Sequence, residues 1–215
     1  MSGGVIVLLC AVPAEQRILR DLAGPGVLLM VTGMGALPAE RRAAEAIAAG
    51  AKAALSVGFC GSLSPSLTRG DIVVPDRVTD AMTGEEWHCD PGLAGGVHGH
   101  RGTLVTVARV VTDPAARARL DGIAVDMESA GAARACARAG VPFAAIRAVS
   151  DRQGDVLPDL AGLVDPAGRV RARRIAGRIA SRPTEFPAWV RLARGARVAG
   201  RTLVPAVSAA LAEAA

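Results

Sequence analysis

Short, nearly uninterrupted apolar runs recur along the chain at residues 5–10, 27–31, 53–57, 71–75, 103–107, 123–125 and 142–149. Runs this short without polar alternation predict strands buried on both faces. Between them the apolar positions shift to helical spacing. Pro13 opens one such stretch, carrying Glu15, Arg17, Ile18, Leu19 and Leu22. Residues 37–49 form a second, with Glu40, Arg41, Arg42 and Glu45 on its outer face and Gly50 as its stop. Residues 114–120 and 128–139 are further helices, 82–101 an irregular loop, and the remainder helical with breaks at Pro158, Pro166, Pro183 and Pro187. Strands alternating with helices predict a single α/β domain over residues 1–215, its mixed, mostly parallel twisted sheet flanked by helices.

In such folds ligands gather at the carboxyl ends of the strands. Four polar or Gly-rich segments fall there: 13–15, 32–35, 126–128 and 150–155. The run "IRAVSDRQGD" puts Arg147 inside a strand and Ser150-Asp151 at its tip. Ser-Asp there reads equally as a pair capping a following helix and as a carboxyl on a pocket wall, oriented by Ser150 and Arg147 and able to hold a proton if buried. Glu128, with Asp126 just before it, is either an acid in the first turn of a helix or a two-oxygen acceptor suited to a vicinal diol such as that of ribose, with Met127 packing under the sugar ring. The glycine segments 33–35 and 58–61 fit neither a dinucleotide fingerprint nor a P-loop.

Composition narrows the reading. Just over half of the 215 residues are apolar, with 25 Gly and 13 Pro, a globular composition. The run at 5–12 is too short to span a bilayer and lacks a basic segment before it, so a cytoplasmic protein is expected. The four cysteines have no paired spacing and are expected to be reduced. Three histidines and a cysteine share one loop (His88, Cys89, His98, His100), but their order matches no zinc pattern, and no metal or cofactor is expected. The formal net charge is +5, and residues 169–201 hold ten Arg against one acid, Glu185. Scarce aromatics argue against a stacking platform for nucleic acid. Residues 186–205 are expected to form a basic amphipathic helix: Arg191, Arg194, Arg197 and Arg201 on one face, Trp189, Leu192, Ala193, Ala196 and Leu203 on the other. Such a helix packs on its own domain or rests on an anionic membrane surface.

Four segments together resemble the nucleoside phosphorylase and nucleosidase superfamily, which includes purine nucleoside phosphorylase and methylthioadenosine/S-adenosylhomocysteine nucleosidase. They are "AVPAEQRILRD" (11–21), "VTGMG" (31–35), "SVGFCGSLSPSLTRGDIVVPD" (56–76), and "AVDMESAGAA" with "VPFAAIRAVSD" (124–151). The last, with the downstream Leu157-Pro158 and the "GR…SRP" tail, is most similar to the hopanoid-biosynthesis-associated branch. That branch is implied to release adenine from adenosylhopane, leaving ribosylhopane. The resemblance implies that Asp151 protonates the purine at N7, with Ser150 and Arg147 orienting it. It implies that Glu128 binds the ribose hydroxyls over Met127, and that Glu15 activates the attacking water. Gly35, Phe59 and Gly61 fall on the binding loops, and a homodimer or larger homo-oligomer is implied.

The chemistry needs these types. Breaking an N-glycosidic bond builds positive charge on the ribose and negative charge on the leaving base. Asp151 is therefore expected to be protonated while Glu15 is not. Phosphorolytic relatives hold phosphate with an N-terminal Gly-rich loop and with an Arg and a Ser near the third strand. Here residues 11–15 lack that loop, Ser56 stands in place of the Arg and Phe59 in place of the Ser. Water is thus the expected nucleophile. Residues 106–113 match the adenine-gripping segment of the nucleosidases poorly.

Overall fold

The computed structural model describes residues 4–158 and 171–214. Pro166, an expected helix break, lies outside the described residues. The sheet is built from β1 (Val5–Cys10), β2 (Val27–Val31), β3 (Ala51–Ser62), β4 (Ile72–Val73), β5 (Arg77–Asp80), β6 (Glu86–His88), β7 (Thr103–Thr106), β8 (Ala124–Asp126) and β9 (Phe143–Asp151). Its order is β2-β1-β3-β8-β7-β5-β6, with β9 pairing β3 and β4. Pairings are parallel except β3–β8, β4–β9 and β5–β6, so the sheet is mixed and mostly parallel.

Because side chains alternate across a strand, the sheet feeds two cores. Val7 and Leu9 of β1 face α2 (Ala36–Ala48) and α4 (Ser129–Ala139), meeting Ala43, Ala46, Ala133 and Cys136. Leu8 and Cys10 face the other side, packing with Leu19 of α1 (Pro13–Leu19) and with Ala199, Leu203 and Val207 of the C-terminal helix.

Several expectations shift. The third strand runs to Ser62 rather than ending at residue 57, because β9 stays paired with it past Gly58 and Gly61. The span 82–101 is not wholly irregular: β6 pairs with β5, a strand whose short polar sequence gives no apolar run. The helix after Pro114 closes after four residues as α3 (Pro114–Arg117), capped by Asp113 on the amides of Ala115 and Ala116. Beyond a shorter α5 (Ala172–Ser181), the last helix, α6 (Phe186–Ala214), continues well past residue 205 despite Pro205. It buries Gly195, Ala199, Leu203 and Val207 and exposes Arg191, Arg194, Arg197 and Arg201. Ala193, expected on the packed face, is exposed with the arginines. No helix among the described residues is long and apolar enough to cross a membrane.

Glycine at 195 matters for the site. A Cβ there would collide with the carbonyl oxygen of Ser150, so α6 lies directly on the end of β9.

Candidate active site

The carboxyl ends of β1, β3, β8 and β9 surround a cavity of about 240 Å³. Glu15, Phe59, Gly61, Met127, Glu128, Ser150 and Asp151 all line it. Gly35 and Arg147, expected among the binding residues, do not line it but hold residues that do.

Glu15 sits in the first turn of α1 and reaches back toward the end of β1. Its Oε2 accepts hydrogen bonds from the amides of Ala11 (2.8 Å) and Val12 (3.2 Å), and its Oε1 from the amide of Phe59 (2.8 Å). Each carboxylate oxygen can accept about two hydrogen bonds, so Oε1 keeps a lone pair for a water. Burial raises the carboxyl above its usual range, opposed by the Arg147 guanidinium and by the three amides. Gly58 makes this approach possible: a Cβ there would lie 2.5 Å from Glu15 Oε1 and 2.6 Å from Arg147 Nη1.

Glu128 does not cap α4. Its Oε1 accepts from the amide of Gly35 (2.9 Å) and its Oε2 from that of Met127 (3.3 Å), which fixes the carboxyl across the cavity floor. Asp126 takes the capping role instead, its Oδ2 accepting from the Ser129 amide (3.1 Å). Burial, with the neighbouring Asp126 charge, pushes Glu128 up to about 8.

Arg147 is wholly buried and lies under this carboxylate group. One of its terminal nitrogens, Nη2, is 2.7 Å from Asp126 Oδ2 and donates to Ser56 Oγ (2.7 Å) and Ser129 Oγ (2.9 Å). It does not orient Asp151, as had been expected. The physical reason is local: β9 carries one extra residue against β3, with Cys60 opposite Val149 but Gly61 opposite Asp151. A bulge of this kind re-aims the side chains beyond it, so Arg147 and Asp151, four residues apart, part company.

Asp151 belongs to β9 itself, and residues 152–158 after it form no helix, which removes the reading of Ser150-Asp151 as a helix cap. The Ser150 hydroxyl contacts Asp151 Oδ1 (2.7 Å) and donates toward the Cys60 carbonyl (3.1 Å), as expected of an orienting neighbour. The charge partner is a residue that sequence reasoning missed. Arg117 Nη1 lies 2.6 Å from Asp151 Oδ2. The contact pairs charges without the alignment of a hydrogen bond, since Oδ2 has no aligned donor. The only available signal was position, since Arg117 lies between the poorly matching residues 106–113 and the ribose motif at 124–128.

Met34, Val107, Val110, Val111, Leu157 and Leu192 give the cavity apolar walls. Among the described residues, no three His, Cys, Asp or Glu side chains gather in a group able to hold a metal.

The arrangement separates a buried cluster of three acids around Arg147 from a single carboxyl, Asp151, paired with Arg117. The sequence profile of the phosphorylase superfamily matches residues 12–93 and 85–180. The chain belongs to the phosphorylase superfamily. No curated protein sequence matches it. Solved structures that share this superfamily member's fold include 5′-methylthioadenosine/S-adenosylhomocysteine nucleosidase of Helicobacter pylori, with a TM-score of 0.74 and 14% identity over 99% of this chain and 100% of that one. The corresponding nucleosidase of Colwellia psychrerythraea 34H, in complex with adenine, gives 0.74 and 18% over 99% and 96%. Futalosine hydrolase of Helicobacter pylori gives 0.73 and 15% over 98% of each chain. At these identities the likeness is one of fold.

Proposed function

We propose that this protein cleaves the N-glycosidic bond of an adenosyl compound with water as nucleophile, releasing adenine, and that the compound is adenosylhopane. The observation that carries the reading is the convergence of Glu15, Glu128 and Asp151 on one cavity. Asp151, at the β9 tip, protonates the purine as it leaves. Glu128 binds the ribose hydroxyls above Met127, through bonds that strengthen as positive charge builds on the sugar. Glu15, with one lone pair of Oε1 open, takes a proton from the attacking water. Each proton transfer is worth roughly 10²–10⁴-fold.

Water is favoured over phosphate by the cations. Among the described residues, Arg117 is the one cationic side chain lining the cavity, and Asp151 engages it. A dianion beside Glu15 would meet repulsion without a bidentate clamp. The apolar walls favour a hydrophobic substituent on the ribose, and the four exposed arginines of α6, with Phe186 exposed at its start, suit peripheral contact with an anionic membrane face. The reading includes a cytoplasmic homodimer or larger homo-oligomer. Exposed Leu37 and Met82 offer apolar surface for such a contact.

The test is adenine release, followed by chromatography, from adenosylhopane and from methylthioadenosine, each with and without phosphate. Release from the lipid without phosphate is expected. Release only with phosphate would make the protein a phosphorylase and remove Glu15 as base. Activity confined to methylthioadenosine would move it to the salvage nucleosidases.

A further inference from the structure

Arg117 is only 2% exposed, yet it comes from a four-residue helix in an arginine-rich stretch. Its Nε donates to the Val111 carbonyl (2.8 Å) and its Nη1 to the Arg152 carbonyl (3.0 Å). Those bonds tie α3 to the loop before it and to the residue after Asp151, so the guanidinium is fixed independently of any ligand. The same Nη1 faces Asp151 Oδ2. Among the described residues, no other cation is paired with this carboxyl: Arg69 is held by Asp155, 2.6 Å away, and Arg147 by Asp126. Gly61 completes the fit, since a Cβ there would lie 2.9 Å from Asp151 Oδ2 and 3.3 Å from Arg117 Nη2.

We propose that Arg117 is a positioning residue for the acid: it fixes the Asp151 carboxyl at the base end of the cavity and balances the charge that carboxyl acquires on giving up its proton. This rests on the nucleosidase reading. In the step, the C1′–N9 bond breaks and its electron pair passes to the purine. The proton of Asp151 moves to N7. The water oxygen bonds C1′ and its proton goes to Glu15. Asp151 is left as a carboxylate in a water-poor pocket, where a preorganised cation is worth far more than in bulk water. Arg117 is already in place, so no reorganisation accompanies the transfer.

The test uses the full chain, adenosylhopane as the purine probe, and 4-nitrophenyl β-D-riboside, whose nitrophenolate departs without a proton. Arg117→Gln should lower kcat on adenosylhopane by roughly 10²-fold, the loss typical of one preorganised charge partner. KM should stay within about threefold, the mark of an interaction made only in the transition state. Cleavage of the riboside should fall far less, and Arg117→Lys should restore part of the purine activity. Equal losses on both substrates would reduce Arg117 to scaffold, and no loss on either would remove it from the step; each overturns the proposal. Wild-type protein that cleaves neither substrate would sink the nucleosidase reading and this inference with it, an outcome distinct from a variant that behaves as wild type.

Discussion

Among the described residues, three carboxylates, Glu15, Asp126 and Glu128, share one buried guanidinium, Arg147, while Asp151 pairs with Arg117 alone. The first group carries surplus negative charge if all its acids ionise. Burial and mutual repulsion relieve that surplus by holding a proton on Glu128, pushed up to about 8. The second is balanced when ionised. On the proposed reading, the acid-rich cluster would face the sugar as it turns cationic in the transition state, and the carboxyl paired with Arg117 would be the one that ends the reaction charged.

Breaking the sugar-end cluster should cost most. Arg147→Met leaves Asp126 buried and unpaired, and loss of one partner of a buried pair costs about 3–5 kcal/mol. That is a large part of a stability of roughly 5–15 kcal/mol, so denaturant titration should find this variant barely folded. Arg147→Met as stable as wild type would mean the cluster does not depend on its cation.

Next comes the acid. Asp151→Asn removes the transferable proton but keeps the shape, and should lower adenine release by roughly 10²–10⁴-fold per folded molecule; it also leaves the buried Arg117 guanidinium without its carboxylate partner, so the thermal midpoint should fall too. Near-normal turnover would remove Asp151 from the mechanism and leave the base end without a role.

The smallest effect sharpens the contrast by pH. Glu128 is raised in the fold, to about 8 from 4.5, so between those values the native state holds a proton that the unfolded chain has released. Its contribution to stability is full below about 4.5, is lost as pH rises toward 8, and is flat above. Glu15, raised in the same direction, adds the same sign. The thermal midpoint of wild type should therefore fall from pH 5.5 to 8.5, and Glu128→Gln should flatten that fall. An unchanged slope in the variant would place the held proton elsewhere.

Sequence patterning reached most of the frame, because strands buried on both faces read as bare apolar runs and β1 and β2 end where the runs end. It missed β5 and β6, whose polar residues pair at an edge and carry no run. At the site, Glu15, Glu128 and Asp151 were legible because each sits beside a strand end in a compact motif. Arg117 was not, since four helical residues give no face to read and an Arg-rich stretch looks like solvated surface. Nor could the exchange of Arg147 from Asp151 to Asp126 be read, because it turns on one extra residue in β9 that only the pairing with β3 reveals.

The contact between Gly195 and the Ser150 carbonyl gives the last helix a stake in the chemistry. Position 195 does not line the cavity and follows Asp151 by more than forty residues of sequence. Even so, the smallest side chain that could be added there would be felt first at the tip of β9. In a library of random substitutions, residue 195 belongs with the intolerant positions of the active site rather than with the permissive arginines that flank it on the same helix.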